Sequence, residues 1–391
     1  MSTRPHSWSV ASKFRLALDK SAVVLSRVLF DFNGYRALPY LLITAFFIIA
    51  IASRILFNGM VYQFDYGLYQ PDGIHYTIRT LMMIGNSDLS AAQTVATWYA
   101  EHGTKVKLLN PLEFIPQNNP AWPVIAPRVL YPILSIPFVM LLGVPGMLVV
   151  PSLSLLVTMF AIYFYSRSKG APSVGLLIAI SISISPTVLR WAVSNCTDGL
   201  LMGIFAVAAI AVLDKKRSRW ALPRIVTIVA MASLTRFCLP VWILLGLVTH
   251  RSSKKMSYAI ISSALLFSAP TFMYKSDSGK IPASDNFSTV HDYIMFPITF
   301  LKILFVEMAQ LAALDRTLLA IILLAAALSV ASFREFETKL YFAVFLGVFT
   351  LGAINAVLGV NFRYQLPLIP FAAVSIISRV VSIKNRKLLN E

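Results

Sequence analysis

Charge is scarce in this chain: only 13% of its 391 residues are Asp, Glu, Lys or Arg, where a soluble protein carries about 25%. Cysteine is scarcer still. The two present, Cys196 and Cys238, form no CxxC pair, which leaves no disulfide framework and no thiolate zinc or redox motif. A Gly-rich phosphate loop of the nucleotide-binding kind is missing. So are the alternating ten-residue segments that a membrane β-barrel requires. Internal repeats and low-complexity linkers are also lacking, so neither a solenoid nor a string of modules is expected.

Apolar residues fill the space that charge leaves. They make up 57% of the chain, and the mean hydropathy is +0.73. Runs of about 20 apolar residues recur from Leu38 onward, enough to cross a hydrocarbon core of about 30 Å as helices. Helices are required because they satisfy their own backbone groups in lipid. The expected fold is therefore all-α, a polytopic transmembrane helical bundle. Beyond the first span at 38–57, apolar runs lie near 129–143, 147–166, 172–189, 198–213, 222–249, 256–274, 296–314, 317–332, 340–358 and 364–382. The run at 222–249 is too long for one ordinary span. Thr235-Arg236 and Leu239-Pro240 near its middle predict two short helices joined by an outer turn.

Basic residues orient these runs. The net charge of +17 reads as a topology signal rather than nucleic-acid binding, because lysine and arginine near spans stay cytoplasmic. Residues 1–37 carry Arg4, Lys13, Arg15, Lys20, Arg27 and Arg36, with no signal-peptide pattern; they form a cytoplasmic basic segment. The cluster Lys215, Lys216, Arg217, Arg219 and Arg224 belongs inside as well. The same holds for Arg167 with Lys169, for Arg251 with Lys254 and Lys255, for Arg334 with Lys339, and for Arg379, Lys384, Arg386 and Lys387. That places most of the 34 basic residues and few of the 17 acids on the inner side. It requires 129–143 and 296–314 not to cross fully. The first carries Pro132 and Pro137; the second carries Lys302 and Glu307, as an interfacial helix would. The expectation is about 10 spans plus two re-entrant or interfacial helices. A single membrane domain at 38–382 holds a large outer loop at 58–128, and 383–391 is a cytoplasmic tail. Short loops and modest size favour a bacterial plasma membrane, with both termini cytoplasmic.

With this topology the unusual polar residues fall on the outer side. Pro71 suits the first position of a helix and puts Asp72 in its first turn. His75, Tyr76 and Arg79 then share a face with Asp72. Asp72 reads either as an acid serving the helix dipole or as a proton acceptor. Arg128, at the end of the loop, reads as an interfacial anchor or a bidentate phosphate ligand. Asp198 opens an apolar helix after Ser194-Asn195-Cys196-Thr197, where a cap is the simplest role. Arg236 interrupts an apolar stretch, where ionisable groups are costly and functional or paired. Arg363, followed by Tyr364, lies at the entry to the last span as an anchor or headgroup contact. Asp285 and His291 lack a ligand spacing, so a metal is weakly supported.

Taken in order, Pro71-Asp72-Gly73-Ile74-His75-Tyr76, Arg128-Val129-Leu130-Tyr131-Pro132, Ser185-Pro186 with Ser194 to Asp198, Thr235-Arg236, and Arg363-Tyr364 followed by Pro370 resemble the polytopic glycosyltransferase C superfamily. The likeness spreads over about residues 38 to 382 in short, degenerate motifs. Gly73 stands where many members have a second acid, which weakens a metal-dependent reading; Asp65 is the remaining candidate for a second carboxylate.

The resemblance implies transfer of a sugar from a polyprenyl-phosphate carrier to a glycan, lipid or protein acceptor outside the cytoplasm. No cofactor and no nucleic acid are expected. Asp72 would be the general base, and one or more of Arg128, Arg236 and Arg363 would stabilise the leaving phosphate. Two other classes remain. A polysaccharide polymerase or ligase would place its large loop later in the chain. A lipid-linked sugar transporter or flippase would place charged pairs or broken helices at the membrane midplane.

Overall fold

The computed structural model describes residues 37–56, 71–101, 110–119, 122–213, 219–273, 290–354 and 362–388. The basic N-terminal segment, Asp65, Asp277 and Asp285 lie outside them, as do Lys215, Lys216 and Arg217. Every regular element among the described residues is helical.

Helix α1 (Leu38–Leu56) packs on α6 (Val149–Ser168), α7 (Pro172–Ser183) and the short α8 (Pro186–Ala192). Its Tyr40 sits edge-on to Tyr163, with ring centroids 5.6 Å apart. The 58–128 loop then folds, in its described part, into structure of its own. Its prolines limit helix length without preventing helices: α2 (Pro71–Met83), α3 (Asp88–Glu101) and α4 (Trp122–Ile125) form between them. Ile74 and Ile78 of α2 meet Ala91, Ala92, Val95 and Tyr99 of α3 in a small core separate from the main one. Gly85, at φ 107°, turns the chain between the two helices. Helix α5 (Leu130–Leu142) lies against α2 and carries the chain back to α6.

The main bundle is built on α6 and α9 (Thr197–Leu213), which run side by side. Gly199 and Gly203 make that approach possible. A side chain on Gly203 would meet the Ser154 Cβ at 2.9 Å, and one on Gly199 would meet the Pro151 Cβ of α6 at 3.1 Å and the Ala192 Cα of α8 at 2.8 Å. Small residues four apart allow close packing where lipid supplies no hydrophobic drive between helices. Around this pair stand α10 (Ala221–Thr235), α11 (Leu239–His250), α12 (Lys254–Met273), α13 (Val290–Leu314), α14 (Arg316–Ala331), α15 (Phe336–Ile354) and α16 (Leu368–Leu388). The expected break in the 222–249 run is present, since α10 ends at Thr235 and α11 starts at Leu239.

Among the described residues, five helices are long and apolar enough to cross a membrane, or six if α7 and α8, bent by 69°, count as one broken span. Large apolar side chains such as Ile48, Leu141, Phe305 and Val330 lie exposed on the bundle. That surface suits hydrocarbon and not water.

Two expectations can be set beside the helices. The count of 10 spans does not follow from the helices, because α5, α9, α10, α11 and α14 have 10–17 residues each. Apolar runs in sequence do not reveal where helices stop inside a thick bundle. The segment at 296–314, expected to be re-entrant or interfacial, lies within Met295–Leu314, one of the five long apolar helices. Its Lys302 is exposed, but Glu307 is fully buried against the bundle. An interfacial helix would turn both outward.

Candidate functional site

Four helix ends converge at one end of the bundle. The start of α9 brings Asp198, the end of α10 brings Arg236, and the turn before α16 brings Arg363. The start of α2 brings Asp72 from the 58–128 loop. The Arg363 guanidinium holds both carboxylates: Nη2 donates to Asp72 Oδ2 at 2.5 Å, and Nε donates to Asp198 Oδ2 at 2.8 Å. Arg236 Nη1 donates to the other Asp198 oxygen. Asp72, Arg363, Asp198 and Arg236 thus form one continuous ionic chain.

Aromatic faces support both cations. Arg236 lies 4.1 Å from the Tyr364 ring centroid, and Arg363 lies 5.0 Å from that of Trp191. Such contacts are worth about 2 kcal/mol when desolvated. Asp198 and Arg236 are buried, whereas the Asp72 side chain keeps 47% of its surface exposed. Asp72 is therefore the acid at the open end of the chain. Burial would raise its carboxyl, but the charge and hydrogen bond of Arg363, joined by the charges of Arg236 and Arg128, outweigh this and hold it at about 2.

Gly73 has a local reason. Asn195 rests directly on it: a Cβ there would lie 2.0 Å from the Asn195 Cγ. Asn195 also donates to the Tyr99 hydroxyl at 2.6 Å. One side chain therefore docks both loop helices onto the segment that leads into Asp198. No second carboxylate fits at position 73 without displacing it.

The face predicted on α2 divides its work. His75 pairs with Asn119 through Nδ1 at 2.8 Å and stacks on Phe114. Burial lowers its pKa although the Asp72 charge opposes this, so it is neutral at pH 7. The Tyr76 hydroxyl accepts from Arg128 Nη1 at 2.9 Å, and its ring meets Tyr131 edge-on. Arg79 turns away from Asp72: it donates to the Ile125 and Ala126 carbonyls and lies 5.9 Å from the Trp122 ring. Its place is in holding the loop together.

Arg128 differs from the other two arginines. It is close enough to lower the Asp72 pKa, yet among the described residues no carboxylate pairs with it. The arrangement thus offers one partly exposed guanidinium beside one ionised, partly exposed carboxylate, with a neutralised ionic chain behind them. It can receive an anion and, next to it, a hydroxyl.

Sequence reasoning named Asp72, His75, Tyr76, Arg128, Asp198, Arg236, Arg363 and Tyr364, and these eight come together here. Trp191, Asn195 and Glu307 were not among them. Asp198 takes two arginines where a helix cap was the simpler expectation. Among the described residues no three His, Cys, Asp or Glu side chains gather as a metal ion would need. Comparison with protein-family models and with curated proteins gives no match.

Proposed function

We propose that this protein transfers a sugar from a polyprenyl-phosphate carrier to an acceptor hydroxyl, at a site on the non-cytoplasmic side of a membrane. The observation that carries this reading is the Arg363 bridge between Asp72 and Asp198, with Arg128 beside it. A lipid-linked donor matches a charged site at the end of an apolar bundle, since its hydrocarbon stays in the bilayer while its phosphate reaches the boundary. The motif order resembling the glycosyltransferase C superfamily points the same way.

The chemistry follows from the residues. Asp72, ionised and partly exposed, accepts the proton of the acceptor hydroxyl. The freed oxygen forms a bond to the anomeric carbon while the bond from that carbon to the phosphate oxygen breaks. The electron pair leaves on the polyprenyl phosphate, whose added negative charge falls to Arg128 and Arg363. Arg236 and Asp198 keep Arg363 in place. A carboxyl held at about 2 is a weak base. The donor phosphate therefore also prepares the base, because by competing for Arg363 it releases Asp72 to accept a proton. The step as written uses no metal or other cofactor.

The end of the bundle opposite the site carries Lys169 and Arg379, facing Glu337 and Glu335 at 3.8 and 3.7 Å. Arg167, Arg251, Lys254, Lys255, Arg334, Lys339 and Arg386 belong to the same set of helix ends. Basic residues gathered there support a cytoplasmic placement for that end, an outer placement for the site, and a bacterial plasma membrane as the setting. The test is transfer by purified protein from a defined polyprenyl-phosphate sugar, with wild type and Asp72→Asn compared. Loss of turnover in the variant is expected, and unchanged turnover removes Asp72 from its role.

A further inference from the structure

Arg363 does its bridging from an unusual piece of backbone. The residue before it, Phe362, has φ 61° and is the one non-glycine residue with positive φ among the described residues. Such a conformation is costly for a bulky side chain and persists only where the surroundings enforce it. Two neighbours enforce it here. The Phe362 ring is fully buried, edge-on to Phe349 with centroids 6.5 Å apart. Its N–H donates to Oε2 of Glu307 on α13, a carboxylate with no exposed surface.

A carboxylate at that depth is expensive, and an intramembrane acid calls for a specific role. What Glu307 holds is the amide one residue before Arg363. We infer that Glu307 is a positioning residue, which fixes the left-handed turn at Phe362 and so aims the Arg363 guanidinium at Asp72 and Asp198. The inference rests on the transferase reading for its catalytic consequence, but not for its structural content. An acceptor is what the turn requires. A neutral side chain with an oxygen in the same place serves it, and an apolar side chain of the same length leaves the amide unheld. The turn then relaxes toward ordinary φ, and Arg363 loses the geometry that reaches two carboxylates at once.

The experiment compares Glu307→Gln, which keeps the acceptor, with Glu307→Met, which keeps the shape and removes it. Each is read by hydrogen–deuterium exchange and by transfer kinetics on folded, monodisperse protein. Exchange at the Phe362 amide is expected to quicken at least about tenfold in the Met variant and to stay near wild type in the Gln variant. In the Met variant kcat is expected to fall by about ten- to a hundredfold, with the Gln variant retaining most activity. Wild-type exchange in Glu307→Met overturns the inference, whatever the kinetics. An equal loss in both variants also overturns it, because charge and not the acceptor would then matter. If wild type transfers no sugar, the transferase reading fails, and the exchange data alone decide the role of Glu307. If the Met variant does not fold, Glu307→Asp, which withdraws the acceptor by one methylene, is read by the same criteria.

Discussion

Arg363 and Asp198 are 165 residues apart in sequence, and the guanidinium of one donates to the carboxylate of the other at 2.8 Å while still reaching Asp72 at 2.5 Å. One planar side chain thus connects the loop helix α2 to the bundle. Lysine cannot reproduce this, since a single ammonium on a flexible stem lacks the fork that engages two partners. Arg363→Lys is expected to lower kcat/KM for transfer by about ten- to a hundredfold, from the loss of one charge-assisted hydrogen bond. Steady-state kinetics on folded protein measure it, and a variant within twofold of wild type speaks against the bridge.

The same pair sets a pH dependence. Asp72 lies below its ordinary value of 3.8, at about 2: burial raises it, but the charge and hydrogen bond of Arg363, with the charges of Arg236 and Arg128, together outweigh that effect. A depressed carboxyl contributes stability above its unfolded pKa and loses it as pH falls through the folded value. In wild type the Asp72 contribution is therefore lost progressively below its ordinary value and disappears only once the pH has fallen below about 2. In Arg363→Gln the opposing charge is gone, burial acts with less resistance, and the Asp72 pKa rises. The acid limb of the residual kcat/KM profile should move to higher pH in that variant. An unmoved limb would show that Asp72 does not control it.

Gly73 provides a steric test. Its Cβ position lies 2.0 Å from Asn195 Cγ, so Gly73→Ala forces Asn195 aside or lifts α2 and Asp72 away from Arg363. Overpacking of this kind costs about 1–3 kcal/mol, and transfer should fall at least tenfold. The paired change Gly73→Ala with Asn195→Ala restores space but not the bond to Tyr99, so partial recovery is expected. Recovery is read as kcat of the double variant against each single one.

Of the three site arginines, Arg128 is the one with no carboxylate partner among the described residues. Substituting it should weaken donor binding more than it disturbs the fold. Arg128→Ala is expected to raise the donor KM by about tenfold or more, with a melting temperature near wild type. A fall in melting temperature with unchanged KM would assign it to the loop instead, through its bond to Tyr76.

Much of this was legible in the sequence. Low charge, long apolar runs and the absence of strand periodicity gave helices. Pro71 gave the helix that places Asp72, and Thr235-Arg236 gave the break between α10 and α11. Other features were not legible, for physical reasons. Asp198 before an apolar helix looks the same whether it caps backbone amides or meets two arginines, because the difference lies in contacts far along the chain. Glu307 amid apolar residues reads as an interfacial acid until the partner across the bundle is known. Nothing local marks Asn195 as the residue that requires glycine at position 73. The number of spans was not legible, since hydropathy does not distinguish lipid from protein as the apolar surroundings of a short helix.

The most direct test of the central claim is the fate of the bridging oxygen in a polyprenyl-phosphate sugar labelled isotopically at the oxygen between the anomeric carbon and phosphorus. After turnover by purified wild-type protein with acceptor, the label is expected in the released polyprenyl phosphate, because the bond to the sugar carbon is the one that breaks. Label travelling with the sugar would mean cleavage on the phosphorus side, and donor recovered intact would mean movement without chemistry. Either result would contradict sugar transfer at the Asp72–Arg363 site.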